Sequence, residues 1–250
     1  MIKDGLCLDH FYVSFSPKEI KELKFLTKSL SRCVYRRVRS GNSSWAGIYP
    51  GSNIGSYFEM IAHGPGITPL GIAASSANLQ YLDARKIRSE MPHLPWMKGK
   101  RLWKKTKKTW FEWVGLKARK GTSLEEDGIT TWIMHYGQIH DPKRNKVSQA
   151  SIDRFSRLVV EMGENYRDSL KYHTQWLPGS HTFLKKSGLI EIPDRDRGTF
   201  LIEIKFRPGK SPSRLLQLDA QLCPSIKTKP ERSDGFKMLV TRDKLSLMPV

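Results

Sequence analysis

Three side chains of metal-binding type stand in the middle of strand-like runs. His10 lies in Leu8-Asp9-His10-Phe11-Tyr12-Val13, Glu59 in Ser56-Tyr57-Phe58-Glu59-Met60, and His135 in Trp132-Ile133-Met134-His135-Tyr136. Two imidazoles and a carboxylate meeting in one cavity form a facial triad. Such a triad holds iron(II) and leaves positions open for substrate, and zinc, manganese or nickel can use the same donors. The plainer alternative is a satisfied histidine within a strand and a glutamate on its solvent face. Trp45, Tyr49, Tyr57 and Trp132 are placed to line such a cavity, although aromatic residues on strands more often fill a core. His63 stands near a strand end and His181 in a Gly-Ser-His turn, while His140 and His173 have polar neighbours and are expected to be exposed. No Walker loop, G-x-S-x-G elbow or H-E-x-x-H is present, so NTP hydrolysis and the commonest hydrolase chemistries have no support.

The elements that must position these residues follow a repeated order. Residues 8–15 alternate as a strand. Ser16-Pro17-Lys18-Glu19 then starts a helix, with Ser as N-cap, Pro first inside and Glu three residues after the cap. Strands are predicted at 32–39, 44–49 and 56–62, separated by turn-forming Ser40-Gly41-Asn42 and Pro50-Gly51-Ser52-Asn53. The order is strand, helix, three strands. A second round is predicted from a strand at 70–74, a helix at 77–90 and strands at 109–118 and 130–136. A third has a strand at 155–162, a helix at 164–176 and strands at 182–186, 188–192, 199–206 and 215–222. This gives an α+β fold of repeated βαβββ units, with curved mixed sheets around a cavity. The units are 1–64, 65–140 with a basic insertion at 98–108, and 150–223, followed by an extended C-terminal tail at 224–250. A unit this short buries little by itself, so paired copies must share a sheet.

The 250 residues carry 43 Lys and Arg against 24 Asp and Glu, a net charge of +19. With 38% hydrophobic and 10% aromatic residues, the chain can build a core. No stretch approaches the ~20 apolar residues of a membrane span. Cys7, Cys33 and Cys223 are odd in number and far apart, which argues against a disulfide framework or a structural zinc site. The first residues lack the continuous apolar stretch of a secretion signal, and a cytoplasmic protein is expected. The segment 98–120 interleaves ten basic residues with Trp103, Trp110 and Trp113. Cations with aromatics can bind phosphates and stack on bases, but a basic loop joined to an ordinary strand is the favoured reading over a nucleic-acid site.

Leu8-Asp9-His10-Phe11-Tyr12-Val13 followed by a helix, then Trp45-Ala46-Gly47-Ile48-Tyr49 and Ser56-Tyr57-Phe58-Glu59, resembles the vicinal oxygen chelate superfamily. That group contains glyoxalase I, bleomycin-resistance proteins and extradiol dioxygenases, and the nearest likeness is to uncharacterised bacterial glyoxalase-like proteins. The resemblance implies metal ligands on the first and last strands of each unit. His10 and Glu59 match both positions of the first unit. His135 matches the last-strand position of the second, as His in place of the usual Glu, and the first-strand position falls near Ile72. In a second alignment His135 and Glu203 form a later pair. The implied function is a metal-dependent lyase, isomerase or dioxygenase. It would act on a small oxygen-bearing substrate, an anionic one included, with Glu59 as ligand and base. The alternatives are a non-catalytic small-molecule binder on the same fold and a nucleic-acid-binding protein. A homodimer is compatible with any of these.

Overall fold

The computed structural model describes residues 5–40, 43–64, 66–76, 89–102, 109–136, 149–194, 198–209 and 213–250. The first strand, β1 (Leu6–Phe15), leads into α1 (Pro17–Leu23) and a short α2 (Leu26–Ser29). The start of α1 is the predicted capping box. Glu19 N–H donates to Ser16 Oγ, and Ser16 N–H donates to the Glu19 carboxylate. These two bonds satisfy donors that a helix start leaves open, and they fix where strand becomes helix. Then come β2 (Cys33–Ser40), β3 (Ser43–Pro50) and β4 (Tyr57–Ala62). The second round is β5 (Leu70–Ser76), β6 (Trp96–Leu102), β7 (Thr109–Leu116) and β8 (Ile129–Tyr136). Most of the helix predicted over 77–90 lies outside the described residues, as do 103–108 of the basic insertion. Residues 98–102 of that insertion belong to β6, which pairs with β7 antiparallel.

These eight strands form one mixed sheet in the order β2-β3-β4-β1-β5-β8-β7-β6. Each round contributes four neighbouring strands, and the two central strands, β1 and β5, are the first strands of their rounds. They pair antiparallel, while β1 pairs parallel with β4 and β5 parallel with β8. The halves are therefore related by a pseudo-twofold axis between β1 and β5.

The second half of the chain repeats this plan. Strand β9 (Ile152–Gly163) is followed by a single 3-10 turn, α4 (Arg167–Thr174), β10 (Ser180–Phe183), β11 (Ser187–Pro193) and β12 (Thr199–Arg207). Between β7 and β8 the chain makes a short α3 (Leu124–Asp127), absent from the sequence prediction although Ser123 and Glu126 form a second capping box. Strand β13 (Arg214–Leu222) does not close the third round. It opens a fourth with β14 (Glu231–Arg232), β15 (Phe236–Val240) and β16 (Lys244–Pro249). The expected extended tail at 224–250 is thus three strands of the second sheet, ordered β10-β11-β12-β9-β13-β16-β15-β14. Its alternating Phe236, Met238, Leu245 and Leu247 are buried, which is the pattern that a polar average over the segment hides.

Both sheets turn their apolar faces toward one another. Phe11 stacks on Phe58 with centroids 4.7 Å apart, meets Phe155 edge-on at 5.4 Å and Phe200 at 4.5 Å, so β1 of one sheet and β9 and β12 of the other share a core. A buried polar joint ties the halves as well. Asp127 accepts from Arg119 N–H and Nε, Thr122 Oγ1, Ser169 Oγ and His173 Nε2, all at 2.8–3.0 Å. His173, expected to be exposed, is fully buried here. Among the described residues no helix is long and apolar enough to cross a membrane.

Candidate functional site

The site is set by side-chain parity on the first sheet. In the β1–β4 ladder Phe11 pairs with Phe58 and Val13 with Met60, and these face the core. His10 opposite Tyr57 and Tyr12 opposite Glu59 therefore face the other way, onto the cup of the curved sheet. A β-bulge in the β1–β5 ladder changes the alternation along β1. Leu8 pairs with Ala74 and His10 with Ala73, leaving Asp9 as the extra residue. Leu8 and Phe11 can then both enter the core, while Asp9 is set directly behind His10.

The Asp9 carboxylate lies 2.6 Å from His10 Nδ1, and both residues are at most 4% exposed. His10 stacks on Tyr57 at 4.5 Å and meets Trp132 edge-on at 5.2 Å. Burial lowers the imidazole's affinity for a proton. The hydrogen bond and charge of Asp9, with the charge of Glu59, outweigh that, and the His10 pKa is raised. Burial pushes the Glu59 pKa up. His10 pulls it down, Asp9 raises it again, and a Tyr57 hydrogen bond lowers it, with a net rise.

All four aromatic residues expected to line a cavity belong to this face. Trp132 pairs with Ala73, which pairs with His10. Tyr49 lies between the Ile48–Met60 pair and the Gly51–Tyr57 bridge, beside Glu59, and Trp45 Nε1 donates to its hydroxyl at 3.0 Å. The sequence reading missed Asp9, Tyr12, Phe111 and Trp113. The last two join the face through β7, where Trp113 pairs with Met134 and Phe111 with Tyr136. Glycines were the available signal. A Cβ at Gly71 would overlap the Tyr12 ring and one at Gly99 the Trp113 ring, so both rings lie flat on the sheet.

His135 does not join this group. Met134 shares the face of Trp132, whose Nε1 donates to its sulfur at 3.2 Å, so the next residue points to the opposite face, where His135 pairs with Glu112. The pseudo-twofold axis makes the point sharper. Across it His10 faces Ala73, Ile72 belongs to the core, and on β8 the residue next to His135 on the face of Trp132 is Met134. The second unit therefore offers no donor at either position. Glu203 is on the second sheet, ion-paired with Arg157. Among the described residues no three His, Cys, Asp or Glu side chains group to hold a metal. His10 and Glu59 alone fall one short of the three protein donors that open zinc and iron(II) sites use, and these residues do not fit a metal centre.

The outward face of the second sheet is occupied by its own charges. Besides Arg157–Glu203, Arg207 pairs with Glu161 at 2.8 Å, Arg154 donates to Gln221 at 2.8 Å, and Asp219 accepts from Gln217 and Ser246.

No protein-family model matches the chain, and no curated protein matches it in sequence. Among solved structures, a hypothetical protein from Staphylococcus aureus is similar with a TM-score of 0.52 at 9% identity, over 96% of this chain and 97% of that one. A xylose isomerase-like TIM barrel/4-hydroxyphenylpyruvate dioxygenase fusion protein has a TM-score of 0.42 at 11% identity, over 86% of this chain and 35% of that one. A glyoxalase I mutant from Zea mays has a TM-score of 0.28 at 11% identity, over 84% and 73%. The staphylococcal likeness spans both chains and is one of fold, here four rounds of four strands paired into two curved mixed sheets.

Proposed function

We propose that the cup of the first sheet binds a small organic molecule and that the Asp9–His10 pair exchanges a proton with it. The observation that carries this reading is the buried Asp9–His10 hydrogen bond, enclosed by Tyr57 and Trp132 with Glu59 on the same face. Asp9 fixes the imidazole and holds Nδ1, which leaves Nε2 as the ring nitrogen for a ligand. The Asp9 carboxylate raises the His10 pKa, so the buried ring can both take up and give back a proton at this position. The flat aromatic side chains supply apolar area and exclude water from the reacting group. The glyoxalase-like resemblance supports a ligand in this cup. The donor set supports a site that works without a protein-held metal ion.

The test is a titration of purified protein with a panel of small aromatic and aliphatic acids, alcohols and amines, read by tryptophan fluorescence. Ligands that shift the signal of the wild type are expected to bind at least tenfold more weakly to His10→Ala, with the thermal midpoint recorded beside it. Metal analysis runs in parallel. Stoichiometric zinc, iron, manganese or nickel that disappears in His10→Ala would overturn the metal-free reading. A wild type unresponsive to every ligand would overturn the binding reading.

A further inference from the structure

The hydrogen-bond inventory of the cup says what kind of molecule it takes. The polar atoms of the rings around His10 are engaged by neighbouring side chains. Trp45 Nε1 donates to Tyr49, and Trp132 Nε1 donates to Met134. Thr68 Oγ1 donates to Leu70 O at 3.0 Å, so the Tyr12 hydroxyl must donate to Thr68. Tyr57 is hydrogen-bonded to Glu59. The Nδ1 proton of His10 goes to Asp9. Apart from His10 Nε2, what these rings offer a ligand is their π faces, and beside them stands the carboxylate of Glu59.

Charge points the same way. Near the centre of the face, two carboxylates, Asp9 and Glu59, stand against one imidazole. Two described arginines take register positions on this face, both on edge strands: Arg36, exposed on β2 three strands from β1, and Arg101 on β6 four strands from it on the other side. A chain of net charge +19 thus keeps acid and aromatic rings together in its cup. Carboxylates and neutral oxygen acceptors find few donors there. A cation is attracted both by ring quadrupoles within about 6 Å and by a carboxylate.

Resting on the reading of this cup as a small-molecule site, we propose that its ligand is an organic cation, an ammonium or a charged nitrogen heterocycle, seated with its charge toward Glu59 and its body on Tyr57, Trp132 and Trp45. The probes are choline, its neutral carbon isostere 3,3-dimethylbutan-1-ol and the anion 3,3-dimethylbutanoate, titrated into the full chain by calorimetry and tryptophan fluorescence. Choline is expected to bind at least tenfold more tightly than the isostere, and the anion more weakly than either. Glu59→Gln is expected to lose about tenfold for choline and nothing for the alcohol. The wild-type ratio stands by itself if that variant fails to fold, and Trp132→Leu, expected to weaken choline, serves as the second variant. Equal or tighter binding of the alcohol or the anion overturns the cation proposal while leaving the cup a small-molecule site. Silence toward all three probes together with the wider panel overturns both.

Discussion

At the scale of single residues, one position separates the expected donor set from the residues that the fold brings to one face. His135 is the residue type that the chemistry wants, but strand side chains alternate, so a shift of one residue moves a donor through the sheet to its other face. Met134 has the right direction and the wrong chemistry. Periodicity within Trp132–Tyr136 could not show which parity faces the cup, because both faces of this strand are apolar: Ile133 is as buried as Met134. His10 and Glu59 were legible because their strands are parallel and in register at the two ends of one unit. If donors are all that the second half of the cup lacks, supplying them should create a metal site. The double variant Ala73→His, Met134→Glu is expected to bind one zinc ion in calorimetry with at least a hundredfold gain over wild type, given an unchanged circular dichroism spectrum. Asp9→Asn is expected to lower the pH at which His10 titrates. Burial disfavours the imidazolium, and removing the Asp9 charge removes much of what opposes burial. NMR titration of the imidazole protons reads this directly.

At the scale of elements, the helix start at Ser16 was readable from four residues, because a capping box is a local device. The joint around Asp127 was not readable, because its partners lie up to 46 residues away. Burial raises the Asp127 pKa. The hydrogen bonds from Arg119, His173 and Ser169 outweigh it and hold the carboxyl at about 2. A carboxylate held below its ordinary 3.8 contributes stability that is present above 3.8 and lost as pH falls through about 2. Asp127→Asn is expected to cost about 1.5–3 kcal/mol at neutral pH, the range for hydrogen bonds to a charged group. In denaturant unfolding, the gap between wild type and variant should narrow as pH falls from 3.8 through 2, and a gap independent of pH would show the joint to be electrostatically idle.

At the scale of the whole molecule, fold class and the first round were legible, and the fourth round was not. Its strands are short and their apolar residues alternate with Lys237, Lys244 and Ser246, so composition read as a tail. Since Leu245 and Leu247 pack in the common core, removal of 224–250 is expected to abolish cooperative unfolding of the second sheet. Phe11→Ala is expected to cost about 3–5 kcal/mol, the usual range for emptying a large aromatic site in a core. The two outward faces have diverged: one binds its own ion pairs, and the other gathers rings around an acid–imidazole pair. The Phe11 contacts have a further consequence for how the chain is made. The ring emerges from the ribosome with the first strand, yet two of its three aromatic neighbours, Phe155 and Phe200, are translated some 150 and 190 residues later. At about 5–20 residues per second the nascent first sheet must carry a bare greasy underside for many seconds, which makes this half of the chain a natural client for chaperones until the other half is translated.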